Sequence, residues 1–132
     1  ALGEDDDAYL LARAIQFFAP GIPQVYYMGL LAGENDYELM RRTDFPRNIS
    51  RHNYTVEEIV HEVQKPVVKK LLQLMRIRNN YEAFDGDVWV SELPDSLLEI
   101  TRESNGCKAV LRADLEKKSF TITCDDPKYD WR

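Results

Sequence analysis

The chain has 132 residues, of which 44% are hydrophobic and 30% are charged, and its formal net charge at pH 7 is -6. This composition can build a hydrophobic core and excludes a disordered chain, and the acidic excess argues against a nucleic-acid-binding protein. No hydrophobic run approaches the ~20 residues of a membrane span, and the acidic residues 1–7 are unlike a signal peptide. Because the sequence does not begin with methionine, we expect it to start inside a larger protein.

Few residues point to a metal or a disulfide. Cys107 and Cys124 fit a reducing compartment better than a disulfide scaffold, although two strands could place them opposite each other. His52 and His61 have no cysteine or further histidine near them in sequence, so no zinc site is expected. The sequence therefore predicts no metal site, and its composition favours an intracellular protein.

The first predicted element is a helix at residues 9–18, which follows aspartates that can cap its N-terminus. It is apolar on almost every side, which is typical of a helix packed on more than one face. Pro20 and Gly21 end it. Residues 22–28 are a short apolar run without alternation, which predicts a strand buried on both faces, as in a parallel sheet.

A long irregular segment, residues 29–54, follows the predicted strand. Loops of this length are uncommon unless they carry a function, and in an α/β barrel the loop leaving a strand's C-terminal end faces the active site. Within the segment, residues 36–42 can form a short helix and residues 44–48 predict a turn.

Two helices are predicted next. Thr55 and Glu58 fit a capping box, which starts a helix that runs to about Val63. Pro66 suits the first turn of a second helix, whose apolar stripe continues to Ile77.

From residue 83 onward the hydrophobic pattern changes to short β-favouring runs, at residues 88–90, 97–101, 108–111 and 119–123. Asn105-Gly106 between two of them is a strong hairpin signal. We therefore expect an antiparallel meander of about four strands. The lone strand of the first half would have unpaired edges, so that half needs partners that this chain does not contain.

Several segments resemble a known family. ARAIQFFAPGIPQVYY at residues 12–27 is similar to the last helix–strand step of an α-amylase-like (β/α)8 barrel. The sucrose phosphorylase family is the closer resemblance, through GLLAGEND at 29–36, RNISRHNY at 47–54, KPVV at 65–68 and RIRNNYEAF at 76–84. The implied fold is α/β plus β. Residues 1–84 would form the last helix–strand–helix segment of the barrel with its last βα loop, and residues 85–132 a small antiparallel β C-terminal domain.

The resemblance implies a retaining double displacement. A carboxylate nucleophile takes glucose from sucrose, and phosphate then attacks the glucosyl-enzyme, giving α-glucose 1-phosphate and fructose. The family's two carboxylates lie on middle strands of the barrel and are expected upstream of Ala1, so no catalytic residue is expected in this chain. Its partners would be these small molecules and the missing N-terminal part of the barrel, with no nucleic acid or membrane, and a homodimer is left open. The same chemistry implies no cofactor and a cytoplasmic location.

One residue matches a functional position of the family. Arg47 occupies the place of the acceptor-site arginine, and its guanidinium can offer paired donors to phosphate or to a sugar diol. The alternative is an arginine that braces the loop through a salt bridge.

Other residues of the loop are expected to support it. Arg51 would pair with Asp36 or Glu38, and His52 would pack within the loop rather than act as a base. We expect Glu34, Asp36 and Glu38 to be solvated or to brace the loop.

Three aromatic residues have structural expectations. Tyr26 and Tyr27 would pack in the barrel wall. Trp89 would lie in the core of the β-domain, unless it is exposed and meets carbohydrate.

The acceptor is in doubt because Asp44-Phe45-Pro46 replaces a flexible glycine-containing tripeptide of the family, and Phe and Pro would stiffen that side of the site. Sucrose is favoured over sucrose 6'-phosphate, glucosylglycerol or glucosylglycerate. An amylase-clan hydrolase or transglycosidase and a truncated non-catalytic module are further alternatives.

Overall fold

The structure, a computed structural model, describes residues 5–131. In this range the helices are α1 (Asp6–Phe18), α2 (Tyr27–Leu30), α3 (Tyr37–Thr43), α4 (Val56–Glu62) and α5 (Pro66–Asn80). The strands are β1 (Asp87–Ser91), β2 (Leu97–Ser104), β3 (Cys107–Asp114) and β4 (Ser119–Cys124), and short 3-10 helices occupy Pro46–Ser50, Glu82–Asp85 and Pro127–Tyr129. None of the helices between residues 5 and 131 is long and apolar enough to cross a membrane.

The chain divides into two compact units, and the division falls within α5. Residues 5–23 and 73–131 form one, here called the sheet unit, and residues 24–72 form the other, here called the loop unit. The division drawn from the sequence, 1–84 and 85–132, concerns a complete barrel and stays a prediction.

Helix α1 is confirmed and begins at Asp6 rather than at residue 9. Asp5 caps it, because its Oδ1 accepts hydrogen bonds from the N–H groups of Asp7 and Ala8 at 3.0 Å each. The helix packs against β2, β3 and β4. Its buried side chains are Leu10, Leu11, Ala14, Phe17 and Phe18.

The predicted antiparallel meander is confirmed, with strand order β1-β2-β3-β4. The hairpin between β2 and β3 turns at Asn105 and Gly106, whose φ angles are 49° and 81°. Two left-handed residues in a two-residue turn match the twist of the flanking strands, and this is why Asn-Gly favours such hairpins.

The core of the sheet unit is a row of directly paired side chains, Ile100, Leu111 and Ile122, all buried. Phe18 of α1 meets Phe84 edge-on, with 4.9 Å between ring centroids. These contacts fix the first helix on the sheet, although some 65 residues of sequence separate the two phenylalanines.

Arg102 is the one polar residue among the buried residues of the described chain, with 5% of its surface exposed. Its Nη2 donates to the carbonyl oxygens of Phe84 at 2.7 Å and of Gly86 at 3.0 Å. Because a buried guanidinium is costly unless its donors are used, these two bonds tie the entry of β1 to the middle of β2.

In the loop unit, the predicted helix starts are confirmed. Thr55 and Glu58 form a complete capping box at α4, with Thr55 N–H donating to Glu58 Oε2 at 2.6 Å and Glu58 N–H to Thr55 Oγ1 at 3.2 Å. Pro66 opens α5. The short helix expected at residues 36–42 is α3, and the predicted turn at 44–48 overlaps the 3-10 helix Pro46–Ser50.

The strand predicted at residues 22–28 is wrong as an element of this chain. Residues 22–26 form neither helix nor strand, and α2 begins at Tyr27. A strand needs a partner for its backbone hydrogen bonds, and the described sheet consists of β1 to β4 alone.

One of the three aromatic predictions needs correction. Tyr26 and Tyr27 are 55% and 37% exposed within this chain, and their packing in the wall of a complete barrel stays a prediction. Trp89 is 50% exposed rather than buried in the core, because it lies on the edge strand and pairs with Thr101, on the face opposite to the buried row.

Candidate functional site

The candidate site is the turn between α3 and the 3-10 helix Pro46–Ser50, in the loop unit. Asp36 caps α3, with its Oδ1 accepting from the N–H of Leu39 at 2.7 Å. At the other end of α3, Asp44 adopts a left-handed conformation with φ of 50°, and Pro46 opens the 3-10 helix. Aspartate tolerates that conformation and proline has its φ preset, so these residue types suit a tight reversal here.

Arg47 lies in the first turn of the 3-10 helix and is exposed. Its guanidinium has no ion-pair partner within residues 5–131, so the bracing salt bridge considered as an alternative role is not formed there. An exposed guanidinium with unused donors can accept an anion or a sugar diol.

His52 and Asp36 come together although they are far apart in sequence. His52 Nδ1 lies 2.8 Å from Asp36 Oδ2, and His52 Nε2 lies 3.4 Å from Glu58 Oε1. The hydrogen bond to Asp36, with that to Glu58 adding, raises the pKa of His52 above its usual value despite partial burial. The Leu39 N–H and the His52 contact hold the pKa of Asp36 below its usual value.

Two tyrosines contact His52. Its ring meets Tyr54 edge-on at 4.7 Å, and the Tyr27 hydroxyl donates to its backbone carbonyl at 3.0 Å. The Tyr54 hydroxyl lies against Gly33, where a Cβ atom would overlap it. Glycine at this position therefore lets the ring reach the loop.

Arg51 does not make the expected contact. It is exposed at the C-terminal end of the 3-10 helix, and within the described residues it has no ion pair with Asp36 or Glu38. Its charge instead acts on Tyr27. Burial raises the pKa of that phenol above its usual value, and the positive charge of Arg51 offsets part of the increase.

Two partners of His52 were missed by the sequence reasoning. Glu58 was identified only as a capping residue, and Tyr54 only as part of a family motif. The spacing of His52 and Glu58, six residues across a helix start, carried no signal that their side chains meet. The contact depends on how the residues before α4 turn.

The acidic residues of the loop do not form a catalytic pair in this chain. Asp36 is engaged by Leu39 and His52, and with Glu38 it lines a small polar pocket of about 230 Å³. No cluster of metal-ligating side chains occurs within residues 5–131.

The sheet unit offers no chemical site of comparable character. A groove of about 480 Å³ in this unit is lined by apolar residues, including Leu97 and Phe120, and by an equal number of polar ones, including Glu99 and Arg112. Cys107 and Cys124 are free thiols, and burial raises the pKa of Cys124 to about 12. A protonated thiol is a poor nucleophile, so Cys124 is a packing residue.

Known proteins match the chain closely over most of its length. Sucrose 6(F)-phosphate phosphorylase of Thermoanaerobacterium thermosaccharolyticum is 51% identical over 122 residues, which are 92% of this chain and 25% of that protein. Glucosylglycerol phosphorylase of Marinobacter adhaerens is 49% identical over 126 residues, 96% of this chain and 26% of that protein. Sucrose phosphorylase of Streptococcus mutans is 48% identical over 123 residues, 92% of this chain and 26% of that protein. No protein-family model matches the chain.

A solved structure shares the fold. The crystal structure of sucrose 6F-phosphate phosphorylase from Thermoanaerobacter thermosaccharolyticum aligns with a TM-score of 0.91 and 47% identity, covering 96% of this chain and 26% of that one. The match falls in the C-terminal part of that enzyme, and it confirms the predicted order of a helical segment followed by a small antiparallel β-domain. The chain spans about a quarter of the length of the relatives that it matches. By sequence and by fold, the chain is a homologue of the C-terminal part of the sucrose phosphorylases and their relatives.

Proposed function

We propose that this chain is the C-terminal quarter of a retaining glucoside phosphorylase and contributes the arginine that binds the glucosyl acceptor. The observation that carries the proposal is the exposed Arg47, which has no ion pair within residues 5–131 and stands on a short helix closed against α3. The phosphorylases that match at about half identity give the reaction class.

The proposed reaction is a double displacement. One carboxylate attacks the anomeric carbon of a glucoside while a second carboxyl group protonates the leaving group, and phosphate then displaces the enzyme carboxylate. Each displacement inverts the anomeric carbon, so the two together retain its configuration. Such a pair stands ~5 Å apart on one rigid framework. Since Asp36 is used by the loop itself, we place both carboxylates in the part of the barrel outside this chain.

Arg47 would act in the second half of the reaction. Phosphate carries up to two negative charges near neutral pH, and a guanidinium is always protonated and can bind two of its oxygens at once. Holding phosphate where water would otherwise attack favours phosphorolysis over hydrolysis. This role separates the proposal from an amylase-clan hydrolase, which needs no anion site for its acceptor.

We propose sucrose as the glucosyl donor, so that the products are α-glucose 1-phosphate and fructose. Two features favour sucrose 6'-phosphate as a second candidate. The relative at 51% identity carries that activity in its name, and Arg41 and Arg42 are exposed in the last turn of α3, next to the helix of Arg47. A second phosphate group on the substrate would need such additional positive charge.

The substrate and the product suggest the remaining features of the protein. A sugar phosphate conserves the energy of the glycosidic bond only where it is retained, so we propose a cytoplasmic location. Exposed Ile22 and Tyr26 would be covered by the part of the barrel outside this chain. The double displacement needs neither a metal nor a cofactor.

The test is a substrate panel with the complete polypeptide. Sucrose, sucrose 6'-phosphate, glucosylglycerol and glucosylglycerate are each supplied with and without phosphate, and glucose 1-phosphate and free glucose are measured. We expect phosphate-dependent glucose 1-phosphate from sucrose. Release of free glucose at the same rate without phosphate would support a hydrolase instead, and no turnover of any glucoside would support a non-catalytic module.

A further inference from the structure

We propose that His52 is a positioning residue for Arg47: its imidazole fixes the capped N-terminus of α3, and α3 in turn holds the 3-10 helix that carries Arg47. The inference rests on the proposed function, since the placement of Arg47 affects turnover only if Arg47 binds the acceptor.

The first link joins His52 to α3. The two oxygens of Asp36 have separate tasks, because Oδ1 accepts from the Leu39 N–H at 2.7 Å and Oδ2 faces His52 Nδ1 at 2.8 Å. A capping carboxylate that rotates away from His52 loses one of the two contacts. The imidazole therefore restrains the direction in which α3 starts.

The second link joins α3 to the helix of Arg47. The backbone N–H of Asp36 donates to the carbonyl of Ile49 at 2.8 Å, and Asn48 Nδ2 donates to Thr43 Oγ1 at 2.8 Å. The first bond lies at the start of α3 and the second at its last residue. Arg47 stands directly before Asn48 and Ile49, so its backbone follows any movement of α3.

The third link anchors His52 itself. Glu58, which accepts the Thr55 N–H through Oε2, presents Oε1 to His52 Nε2 at 3.4 Å. The Tyr54 ring packs against the imidazole, and the Tyr27 hydroxyl holds the His52 carbonyl. His52 is thus fixed from α2, from the segment before α4 and from α4, and it transmits that fixed position to Asp36.

The contacts of the His52 imidazole with Asp36 and Glu58 depend on pH. The groups that face His52 are Asp36 with Arg42 behind it on α3, Glu58 on α4, and the phenols of Tyr54 and Tyr27. A neutral imidazole has one N–H, whereas a protonated one has two, so only the protonated form donates to both carboxylates. Contact with Asp36 and Glu58 raises the pKa of His52. Both hydrogen bonds are therefore present at low pH, and one of them is lost as pH rises through that raised pKa.

The experiment compares His52→Gln with His61→Gln in the complete polypeptide. His61 is a matched control, since it is an exposed histidine of α4 whose contact in the described chain is with its neighbour Glu62. Glucosyl-enzyme formation and the KM for phosphate are measured separately between pH 5.5 and 8.5. We expect His52→Gln to raise the phosphate KM about 10-fold while leaving glucosyl-enzyme formation nearly unchanged.

A second variant, Asp36→Asn, keeps the cap because an amide oxygen can still accept the Leu39 N–H. In the unsubstituted polypeptide, the KM for phosphate should rise as pH passes the pKa of His52. Asp36→Asn should shift this rise to lower pH, and His52→Gln should abolish it. Equal kinetics for His52→Gln and His61→Gln, or equal loss of both half-reactions in His52→Gln, would overturn the inference. Absence of phosphate-dependent turnover in the unsubstituted polypeptide would overturn the proposed function instead, and with it this inference.

Discussion

The backbone N–H of Asp36 donates to the carbonyl oxygen of Ile49 at 2.8 Å and closes a loop of about a dozen residues around α3. That bond brings the two ends of the segment together, so the 3-10 helix between them is held in place even though its side chains are largely exposed. Arg47 is therefore presented on a closed turn rather than on a free loop, which would lower the entropy cost of the anion binding that we propose.

Arg47→Ala in the complete polypeptide should weaken phosphate use by about 10- to 100-fold, since hydrogen bonds to charged groups contribute about 1.5–3 kcal/mol. Formation of the glucosyl-enzyme should change little, because it precedes phosphate binding. Stopped-flow release of the leaving sugar and the steady-state KM for phosphate separate the two steps. Arg76→Ala, at an exposed position on α5, is the control. Equal loss in both half-reactions would identify Arg47 as a structural arginine.

The imidazole of His52 should titrate above its usual pKa, because Asp36 and Glu58 stabilise its charged form. Histidine ring resonances followed by NMR across pH 5 to 9 measure this, with His52→Gln identifying the signal. Asp36→Asn should lower that pKa. A His52 pKa that is unchanged in Asp36→Asn would show that the 2.8 Å contact does not persist in solution.

Arg102→Met should destabilise the sheet unit by about 3 kcal/mol, because it leaves the buried carbonyls of Phe84 and Gly86 without their donor. The free energy of unfolding, from denaturant melts of the complete polypeptide, checks this value. Arg112→Met is the matched control, since Arg112 is exposed and pairs only with Glu99 in the described chain. Such surface pairs contribute about 0–1 kcal/mol. Equal effects of the two substitutions would contradict the role given to Arg102.

Gly86→Ala should also destabilise the sheet unit, here by about 2 kcal/mol, because the added Cβ would overlap the backbone carbonyl oxygen of Glu103. Backbone cannot swing aside as a side chain can, so the start of β1 must shift. Thermal unfolding of Gly86→Ala beside Glu92→Ala, an exposed position just after the same strand, measures the difference. A melting temperature as high as that of the control would show that the strand adjusts freely.

Features set by local interactions were predictable from the sequence. The capping box at Thr55 and the hairpin at Asn105-Gly106 each depend on residues within one turn of chain, and both form as expected. Residues 22–28 have the composition of a buried strand, yet residues 22–26 form neither helix nor strand. Composition describes the preference of a segment, whereas a strand also needs a neighbouring strand, and the sheet of the described residues consists of β1 to β4.

Contacts between distant side chains were not predictable in the same way. Arg51 was expected to pair with Asp36 or Glu38, and Asp36 instead meets His52, the residue after Arg51. Whether Arg51 or His52 reaches Asp36 depends on the side of the turn to which each side chain points. The contacts of His52 with Tyr54 and Tyr27 fix that direction. Trp89 was placed in the core because a large aromatic residue usually is buried, but the register of β1 turns it outward.

Phosphorus NMR of the complete polypeptide with sucrose and inorganic phosphate tests the central claim most directly. The account predicts that the inorganic phosphate signal falls as that of α-glucose 1-phosphate grows, with one fructose released for each phosphate consumed, and that Arg47→Ala suppresses this exchange. Sucrose cleavage to free glucose with the phosphate signal unchanged would contradict it.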